Sequence, residues 1–484
     1  MFSLVNMMFC FLGTSIGIVF GAIPGLTATM AIALFLPFTF GMESVPAFAL
    51  LLGLYVGGVY GGSITAILIN TPGTPGAAAT AVEGYPLARQ GKALDALSLA
   101  TISSFIGGML SCGVLILLAP RLARVALQFG PPEYFAISLF GLSMVSSIAS
   151  KNIMKGIVSA AFGLLAATIG IDPIVGSMRL TFGNVNLVAG IGLICSLIGL
   201  FAISEVLSKL ETINRNKGIE DMEKITGKFV SLKILKANVF NFLRSSVIGI
   251  GIGLIPAVGV SMANWISYNE AKRMTKTPEL YGEGCFEGVA ASETSNNAVT
   301  GGALVPMLTL GIPGDAMTAV LLGALMIQGL APGARLFNDT PEVVRGIYGM
   351  LALANIFMLI LGLALINVFV KIIKVPINVL MPLVLIMCYI GSYAIHNNFF
   401  DVYVTLLFGV VAYLSLKAKF PLPPMLLGII LGPLIESNFR RSITMSRGSL
   451  VIFFERPLSA VFIIIALSAM IYPLLRENIN FKTK

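Results

Sequence analysis

Long stretches without a single charged residue constrain this chain more than any other feature of its sequence. Residues 1–42 and 44–82 contain no Asp, Glu, Lys or Arg. The chain as a whole is only 11% charged, whereas soluble domains carry about 25%. An apolar run of roughly 20 residues is long enough to cross a bilayer as a helix. The sequence therefore predicts an all-α polytopic membrane protein.

The first of these runs is too long for one membrane helix. As a single helix, residues 1–42 would reach about 60 Å at about 1.5 Å per residue, against a hydrocarbon core about 30 Å thick. The run must therefore turn back on itself. Over the whole chain we expect roughly 10–14 membrane segments. The N-terminus lacks the basic stretch of a signal peptide, so we interpret it as the first membrane helix.

The basic character of the chain fits a membrane protein better than a nucleic-acid-binding one. The formal net charge is +9, and positively charged residues collect in the cytoplasmic loops of membrane proteins. The longest polar segment lies near the middle of the chain. We predict three parts: a first transmembrane repeat at 1–205, a cytoplasmic basic linker at 206–244, and a second transmembrane repeat at 245–484.

The residue types that catalysis requires are scarce. The chain has one His, and it lacks the HExxH and GxSxG motifs. Its five Cys show no spacing typical of a metal site or a disulfide framework. This combination is poor for hydrolysis. The sequence predicts neither an enzyme nor a bound cofactor.

An internal repeat underlies the prediction of two halves. The segment "PGAAATAV" begins at Pro75, and "PGDAMTAV" begins 238 positions later at Pro313. A Gln-Gly pair follows each segment at the same spacing. Upstream, "GAIPG" at 21–25 matches "GLIPA" at 253–257. Each half therefore has an Ile-Pro break in an apolar run, followed by a Pro-Gly break before an Ala-rich helix.

Breaks of this kind are typical of secondary transporters. Non-helical backbone at membrane depth is tolerated only where protein or a watery cavity covers it. Transporters use paired broken helices to build a substrate site near the bilayer midplane. A helix that begins at such a break presents free N–H groups and the positive end of its dipole, which suits an anion. The alternative is that the Pro-Gly pairs form surface turns between helices.

The segments around both breaks resemble those of a known family, the TctA-type large membrane subunit of the tripartite tricarboxylate transporters. The resemblance runs over essentially the whole chain. It is carried by "GAIPGLTATMAIALFLPFTFGM", "YGGSITAILINTPGTPGAAATAVEGYPLARQGKA", "EGVAASETSNNAVTGGALVPMLTLGIPGDAMTAVLLGALMIQGLAPG" and "LGPLIESNFRRS".

The resemblance implies a permease of the bacterial inner membrane with about twelve membrane segments. Such permeases work with a small four-helix membrane subunit (TctB-like) and a periplasmic solute-binding protein (TctC-like). They import citrate and other di- or tricarboxylates, driven by a sodium or proton gradient. A permease or channel of the same architecture for a different small solute, acting without partner subunits, is the alternative.

Candidate binding residues lie at the breaks, where Gly allows close backbone approach and Thr or Asn can donate to carboxylate oxygens. The predicted substrate-binding residues are Asn70, Thr71, Pro72, Gly73, Thr74, Pro75, Gly76, Gly311, Ile312, Pro313, Gly314 and Asp315. The predicted hairpin or hinge residues are Pro24, Gly25, Thr27, Thr29, Pro256, Ser261 and Asn264.

The polar cluster "SETSNNA" at 292–298 is the candidate site for the coupling cation. Hydroxyl, amide and carboxylate oxygens are the usual ligands of small hard cations. Glu293, Asn296 and Asn297 are therefore candidates to hold sodium or carry a proton. The alternative is a water-facing helix start that is capped by Ser292 or Thr294.

Two positions depart from the expected family pattern. Asp315 stands after the second Pro-Gly, where a small or hydroxyl residue is expected. A carboxylate there is a good N-cap, but it would repel a tricarboxylate at the same helix end. Asp315 therefore caps the helix, restricts the substrates or takes part in cation coupling. Ala257 replaces the Gly found at position 25 of the first copy, which predicts a less close backbone approach.

Overall fold

The chain forms a bundle of helices, and about 79% of it is helical. The structure is a computed structural model that describes residues 2–148, 153–212, 225–256, 258–366, 368, 371, 375 and 377–482. Ala257 and the middle of the predicted linker, 213–224, lie outside the described residues.

The α-helices are, in chain order, α1 (Leu4–Ala22), α2 (Ala28–Phe35), α3 (Ser44–Ile69), α4 (Ala78–Arg89), α5 (Ala93–Ala126), α6 (Pro131–Ile148), α7 (Ile153–Ala167), α8 (Leu193–Leu197), α9 (Ser204–Thr212), α10 (Leu232–Ala237), α11 (Val239–Gly253), α12 (Gly259–Met274), α13 (Phe286–Leu310), α14 (Ala316–Ile327), α15 (Leu336–Asp339), α16 (Pro341–Ala364), α17 (Ile377–His396), α18 (Phe399–Lys417), α19 (Leu422–Met445), α20 (Ile452–Glu455) and α21 (Pro457–Lys482). A short antiparallel pair, β1 (Gly170–Ile171) and β2 (Met178–Arg179), lies between α7 and α8.

The helices have the length and composition of membrane spans, as predicted. Within the described residues, eight helices are long and apolar enough to cross a bilayer, and shorter apolar helices accompany them. This is a multi-pass membrane protein of the all-α class. The count of about twelve segments stays a prediction.

Two tightly packed helix pairs each contain one almost entirely buried helix, α3 in the first pair and α13 in the second. Gly13, Gly17 and Gly21 of α1 lie directly against the backbone of α3. The pair α11 and α13 meets in the same way, with Gly249 and Gly253 against the backbone of α13. Small residues let helix backbones approach closely, and the resulting van der Waals contacts stabilise the association of membrane helices. In both pairs, later residues of one helix contact later residues of the other. The paired helices therefore run parallel.

The predicted boundaries between the halves do not coincide with helix ends. Residue 205 lies inside α9, and residue 245 lies inside α11. Both ends of the polar segment between them are therefore helical. These helical ends are held in place because their Leu and Ile side chains pack against the bundle. Leu207, Ile234 and Leu235 contact the main hydrophobic core.

Candidate functional site

A cavity of about 290 Å³ lies where the broken helices meet. This volume is just below the usual range for small-molecule sites, roughly 300–1,000 Å³. Its wall is formed by Thr27, Ala28, Thr29, Val59, Thr74, Pro75, Gly76, Gly259, Val260, Ser261, Asn296, Pro313, Asp315, Ala316, Met317, Ala319, Pro423, Leu426 and Leu427. The cavity is therefore shared by the first and second halves of the chain, and α19 belongs to the second half's contribution.

Four helices begin at this cavity. Thr27 caps α2, with its side chain accepting from the N–H of Met30. Pro75 opens the short 3₁₀ turn that leads into α4, a position where its missing N–H costs nothing. The helix α12 starts at Gly259, and Asp315 caps α14. Each helix start is equivalent to roughly half a positive charge.

The first break follows the end of α3. Asn70 ends this helix in the left-handed conformation, with φ of 51°, which Asn tolerates better than most residues. The chain then turns inward, from exposed Thr71 to buried Gly73. A Cβ on Gly73 would overlap the carbonyl oxygen of Gly21. The loop can therefore reach the cavity only because Gly73 has no side chain.

The second break has the same local structure. Gly311 ends α13 in the left-handed conformation, with φ of 71°. A Cβ on Gly314 would lie 2.6 Å from the carbonyl oxygen of Gly253 and would also meet Ala303. All four residues of this loop, Gly311, Ile312, Pro313 and Gly314, are buried. The alternative of a surface turn is wrong for this second break.

Asp315 is an N-cap that also faces the cavity. Its Oδ1 accepts from the N–H of Thr318 at 2.7 Å and from the Thr318 hydroxyl at 2.8 Å. Its Oδ2 accepts from the hydroxyl of Tyr55, on α3, at 2.8 Å. Among the residues that the structure describes, Asp315 is the only ionisable group on the cavity wall. The carboxylate is thus held in one orientation by both halves of the chain.

The polar cluster of α13 lies deep inside the protein. Residues 292–297 are fully buried and belong to the middle of α13, which begins at Phe286. The alternative of a water-facing helix start is therefore wrong. Glu293 accepts from the hydroxyl of Thr80 at 2.5 Å and from the hydroxyl of Ser104 at 3.0 Å. No Lys, Arg or His of the described chain forms an ion pair with it.

Asn296 connects this carboxylate to the cavity. Its Nδ2 donates to Glu293 Oε2 at 3.3 Å and to the carbonyl of Val59 at 3.2 Å. Its Oδ1 has no hydrogen-bond partner in the described structure, although it is buried, and it lies beside Gly76. The Thr74 hydroxyl oxygen, also on the cavity wall, is buried without a partner as well. Two acceptor oxygens are therefore free to bind a cation or a donor.

The predicted site residues fall into three groups. Nine line the cavity: Thr27, Thr29, Thr74, Pro75, Gly76, Ser261, Asn296, Pro313 and Asp315. Two lie just behind its wall: Glu293, which is bonded to Asn296, and Asn264, which donates to the carbonyl of Gly76. The others shape the breaks or the packing around them without lining the cavity: Pro24, Gly25, Asn70, Thr71, Pro72, Gly73, Pro256, Asn297, Gly311, Ile312 and Gly314.

Sequence reasoning missed several residues of this site. Tyr55 binds Asp315, whereas Thr80 and Ser104 bind Glu293. Leu426 and Leu427 close the apolar side of the cavity. Thr80 could have been found, because it lies in the repeated segment opposite Thr318. The others stand in ordinary apolar helices, where nothing local distinguishes them.

A second buried carboxylate joins the two halves outside the cavity. Glu83 of α4 accepts from the hydroxyl of Tyr268 at 2.6 Å. It also accepts from the N–H groups of Gly282, Gly284 and Cys285 at 2.6, 3.1 and 2.7 Å. Those N–H groups belong to the loop that precedes α13. Glu83 therefore attaches the middle of α4 to the loop that leads into α13.

Replacing Glu83 with Gln is expected to destabilise the protein by about 2 kcal/mol. The neutral amide is a weaker acceptor, and its NH₂ group would face backbone donors, at about 1–3 kcal/mol for each buried group left unsatisfied. Thermal unfolding of the purified protein in detergent measures the change. Glu279→Gln, in the same loop but exposed, is the matched control. Equal stability of the two variants would contradict the role assigned to Glu83.

The sequence of this chain is similar to those of known proteins. A family model described as the tripartite tricarboxylate transporter TctA family matches residues 7–427. A 52.8 kDa protein of Agrobacterium vitis, described as uncharacterized and encoded in the TAR-I ttuC' 3' region, is 36% identical over 472 residues, covering 97% of this chain and 93% of that protein. A second uncharacterized protein of the same organism, from the TAR-II ttuC' 3' region, is 36% identical over 224 residues, covering 46% of this chain and 93% of its own length. No solved structure matches the chain.

Proposed function

Because this chain belongs to the tripartite tricarboxylate transporter TctA family, we propose that it is the permease subunit of a secondary active transporter that imports di- or tricarboxylates such as citrate. The family is one of transporters, and its systems contain further subunits. The partners proposed here are a small TctB-like membrane subunit and a TctC-like periplasmic solute-binding protein. The location proposed is the bacterial inner membrane.

The observation that carries this proposal is the convergence of four helix N-termini on one cavity. Free N–H groups and aligned dipoles bind carboxylates and phosphates without a basic side chain. The hydroxyl groups of Thr29 and Ser261 on the wall can donate to the same oxygens. A cavity of this size and polarity suits a small anion.

We propose that Glu293 and Asn296 bind the coupling cation, either sodium or a proton. A carboxylate inside a membrane protein is costly unless a partner neutralises it, and such residues usually mark ion pathways. Glu293 has donors but no basic partner among the described residues, so a cation or a proton would complete its environment. Asn296 lies between Glu293 and the cavity, which would couple the two sites. Asn297 is also buried, but neither of its polar side-chain atoms has a described partner.

The direction of the helices supports an inverted repeat. Gly76, Thr80 and Glu83 contact α13 at Asn296, Ser292 and Gly288 in turn, so α4 and α13 run in opposite directions. In contrast, α4 runs parallel to α3, since Thr74 and Gly84 contact Gly62 and Ile67. The two long helices α3 and α13 are therefore antiparallel. Inverted halves that meet at a midplane site are a common basis of alternating access.

Matched contacts at the ends of the re-entrant helices are suited to opening and closing. After α4, Gln90 donates to the carbonyl of Glu283 at 2.6 Å, in the loop before α13. After α14, Gln328 donates to the carbonyl of Thr39 at 2.9 Å, in the segment before α3. Each re-entrant helix thus contacts the opposite half. We propose that these contacts separate when one half moves against the other.

Uptake into proteoliposomes tests the proposed function. The chain would be reconstituted with the proposed small subunit and binding protein, under an imposed sodium or proton gradient. Gradient-driven uptake of a radiolabelled di- or tricarboxylate is the expected result, and liposomes without the chain are the control. Absence of uptake of every carboxylate, with folded protein verified, would overturn the proposal.

A further inference from the structure

Building on the proposed function, we propose that the cavity accepts small carboxylates with no more than two negative charges, and that Asp315 excludes fully ionised tricarboxylates. This proposal narrows the substrates of the same cavity to carboxylates with at most two charges, so that fully ionised citrate is no longer among them. Three features of the described wall support it: the source of positive potential, the position of Asp315 and the apolar far side.

The positive potential of the cavity is limited. Among the described residues of the wall there is no Lys, Arg or His, so attraction for an anion comes from the four helix starts. Together these correspond to roughly two positive charges. Asp315 is the cap of one of them and offsets about one charge when ionised. The remaining potential matches a monoanion or a dianion better than a trianion.

The carboxylate of Asp315 is fixed on the wall of the cavity, next to any bound substrate. It is buried and lies on the wall between Pro313 and Ala316. The hydrogen bonds from Thr318 and Tyr55 use both of its oxygens. Those donors hold the carboxylate in place. A third carboxylate in the same enclosed space would face a like charge at short range, where the low dielectric strengthens repulsion.

The lining of the cavity points the same way. Its far side is apolar, formed by Pro423, Leu426 and Leu427 of α19. With the wall hydroxyls, such as those of Thr29 and Ser261, bound to the first two carboxylate groups, a third group would lie against this apolar surface or Asp315. Neither offers it a hydrogen-bond donor, and burying a charge without a partner is costly.

The test compares substrates of different charge in the reconstituted system. Initial uptake of radiolabelled succinate is measured with unlabelled succinate, malate, citrate or propane-1,2,3-tricarboxylate as competitors, at a mildly alkaline pH where all carboxyl groups are ionised. The wild-type protein is expected to prefer the dicarboxylates by at least about tenfold, the effect of roughly one strong charge contact. Equal competition by the tricarboxylates would overturn the inference.

Asp315→Asn is the decisive variant. Asn is also a good N-cap, so α14 is expected to keep its start while the wall loses its charge. Competition by citrate relative to succinate is expected to rise by about tenfold or more. Asp339→Asn is the matched control, because it makes the same change at an exposed Asp that does not line the cavity, and its preference for dicarboxylates should persist. An unchanged ratio in Asp315→Asn would overturn the inference.

Thermal stabilisation of the purified wild-type protein by succinate and by citrate provides a measurement that needs no variant. Stronger stabilisation by succinate is expected at equal ligand concentration, because a ligand that binds the folded state more tightly stabilises it more. Stronger stabilisation by citrate would contradict the charge limit. Failure of every carboxylate to be taken up or to stabilise the protein would overturn the proposed function and this inference together. Transport without a charge preference would overturn this inference alone.

Discussion

Replacing Glu293 with Gln is expected to abolish gradient-driven accumulation of substrate while leaving the protein folded. The amide has nearly the same shape and can keep contacts with Thr80 and Ser104, but it cannot be ionised or carry a proton. An interaction with a charged group contributes about 1.5–3 kcal/mol, so cation affinity should fall by about 10- to 100-fold. Uptake into proteoliposomes under opposed sodium and proton gradients measures the loss and identifies the ion.

The control for this variant is a second carboxylate on the same helix. Glu287 lies in the first turn of α13 and is partly exposed. Glu287→Gln is expected to leave accumulation nearly unchanged. Counterflow, in which labelled substrate exchanges for unlabelled substrate without a gradient, separates coupling from translocation. Full accumulation by Glu293→Gln would show that the cation binds elsewhere.

Replacing Gly73 with Ala is expected to cause the largest loss of stability. The added methyl group would overlap the carbonyl oxygen of Gly21 and lie 3.0 Å from the Thr65 hydroxyl. The first of these atoms is backbone of a packed helix and cannot turn away. Overpacking of this kind costs about 1–3 kcal/mol, and sometimes more. Thermal unfolding in detergent and substrate uptake should both decline, because the loop that carries Thr74 and Gly76 would be displaced from the cavity.

Gly113→Ala is the matched control for this substitution. Gly113 lies within α5, and a Cβ there would meet nothing within 4 Å. Ala is favoured over Gly inside a helix by about 0.5–1 kcal/mol, so this variant should be as stable as the wild type or slightly more stable. If Gly73→Ala unfolded at the same temperature as Gly113→Ala, the close contact between the first break and α1 would not be important.

The breaks could be predicted from the sequence because their causes are local. Pro lacks an N–H, and Gly tolerates conformations that other residues avoid. Gly73 and Gly314 therefore marked the places where the chain bends back, and the structure places both against the backbone of a neighbouring helix. The prediction of Asp315 as an N-cap followed from the same kind of reasoning, and the structure confirms it.

The role of the polar cluster at 292–298 could not be decided from the sequence. Ser, Thr and Asn occur both at helix starts and in ion sites, because the same oxygen atoms serve both purposes. The structure excludes the helix start, since these residues lie in the buried middle of α13. What surrounds Glu293 depended on helices that are distant in the chain. Thr80 and Ser104 are 213 and 189 positions away from it.

The sequence by itself determined that this is a helical membrane protein and where its helices are interrupted. Lipid cannot satisfy backbone hydrogen bonds, so an apolar run must be helical and a Pro-Gly pair inside it must be covered. The tertiary structure alone decided which oxygens face the cavity, how Tyr55 orients Asp315 and why Glu293 has no basic partner among the described residues. These features depend on how α3, α4, α5 and α13 cross. Many small contacts between distant segments set those crossings, and no local pattern encodes them.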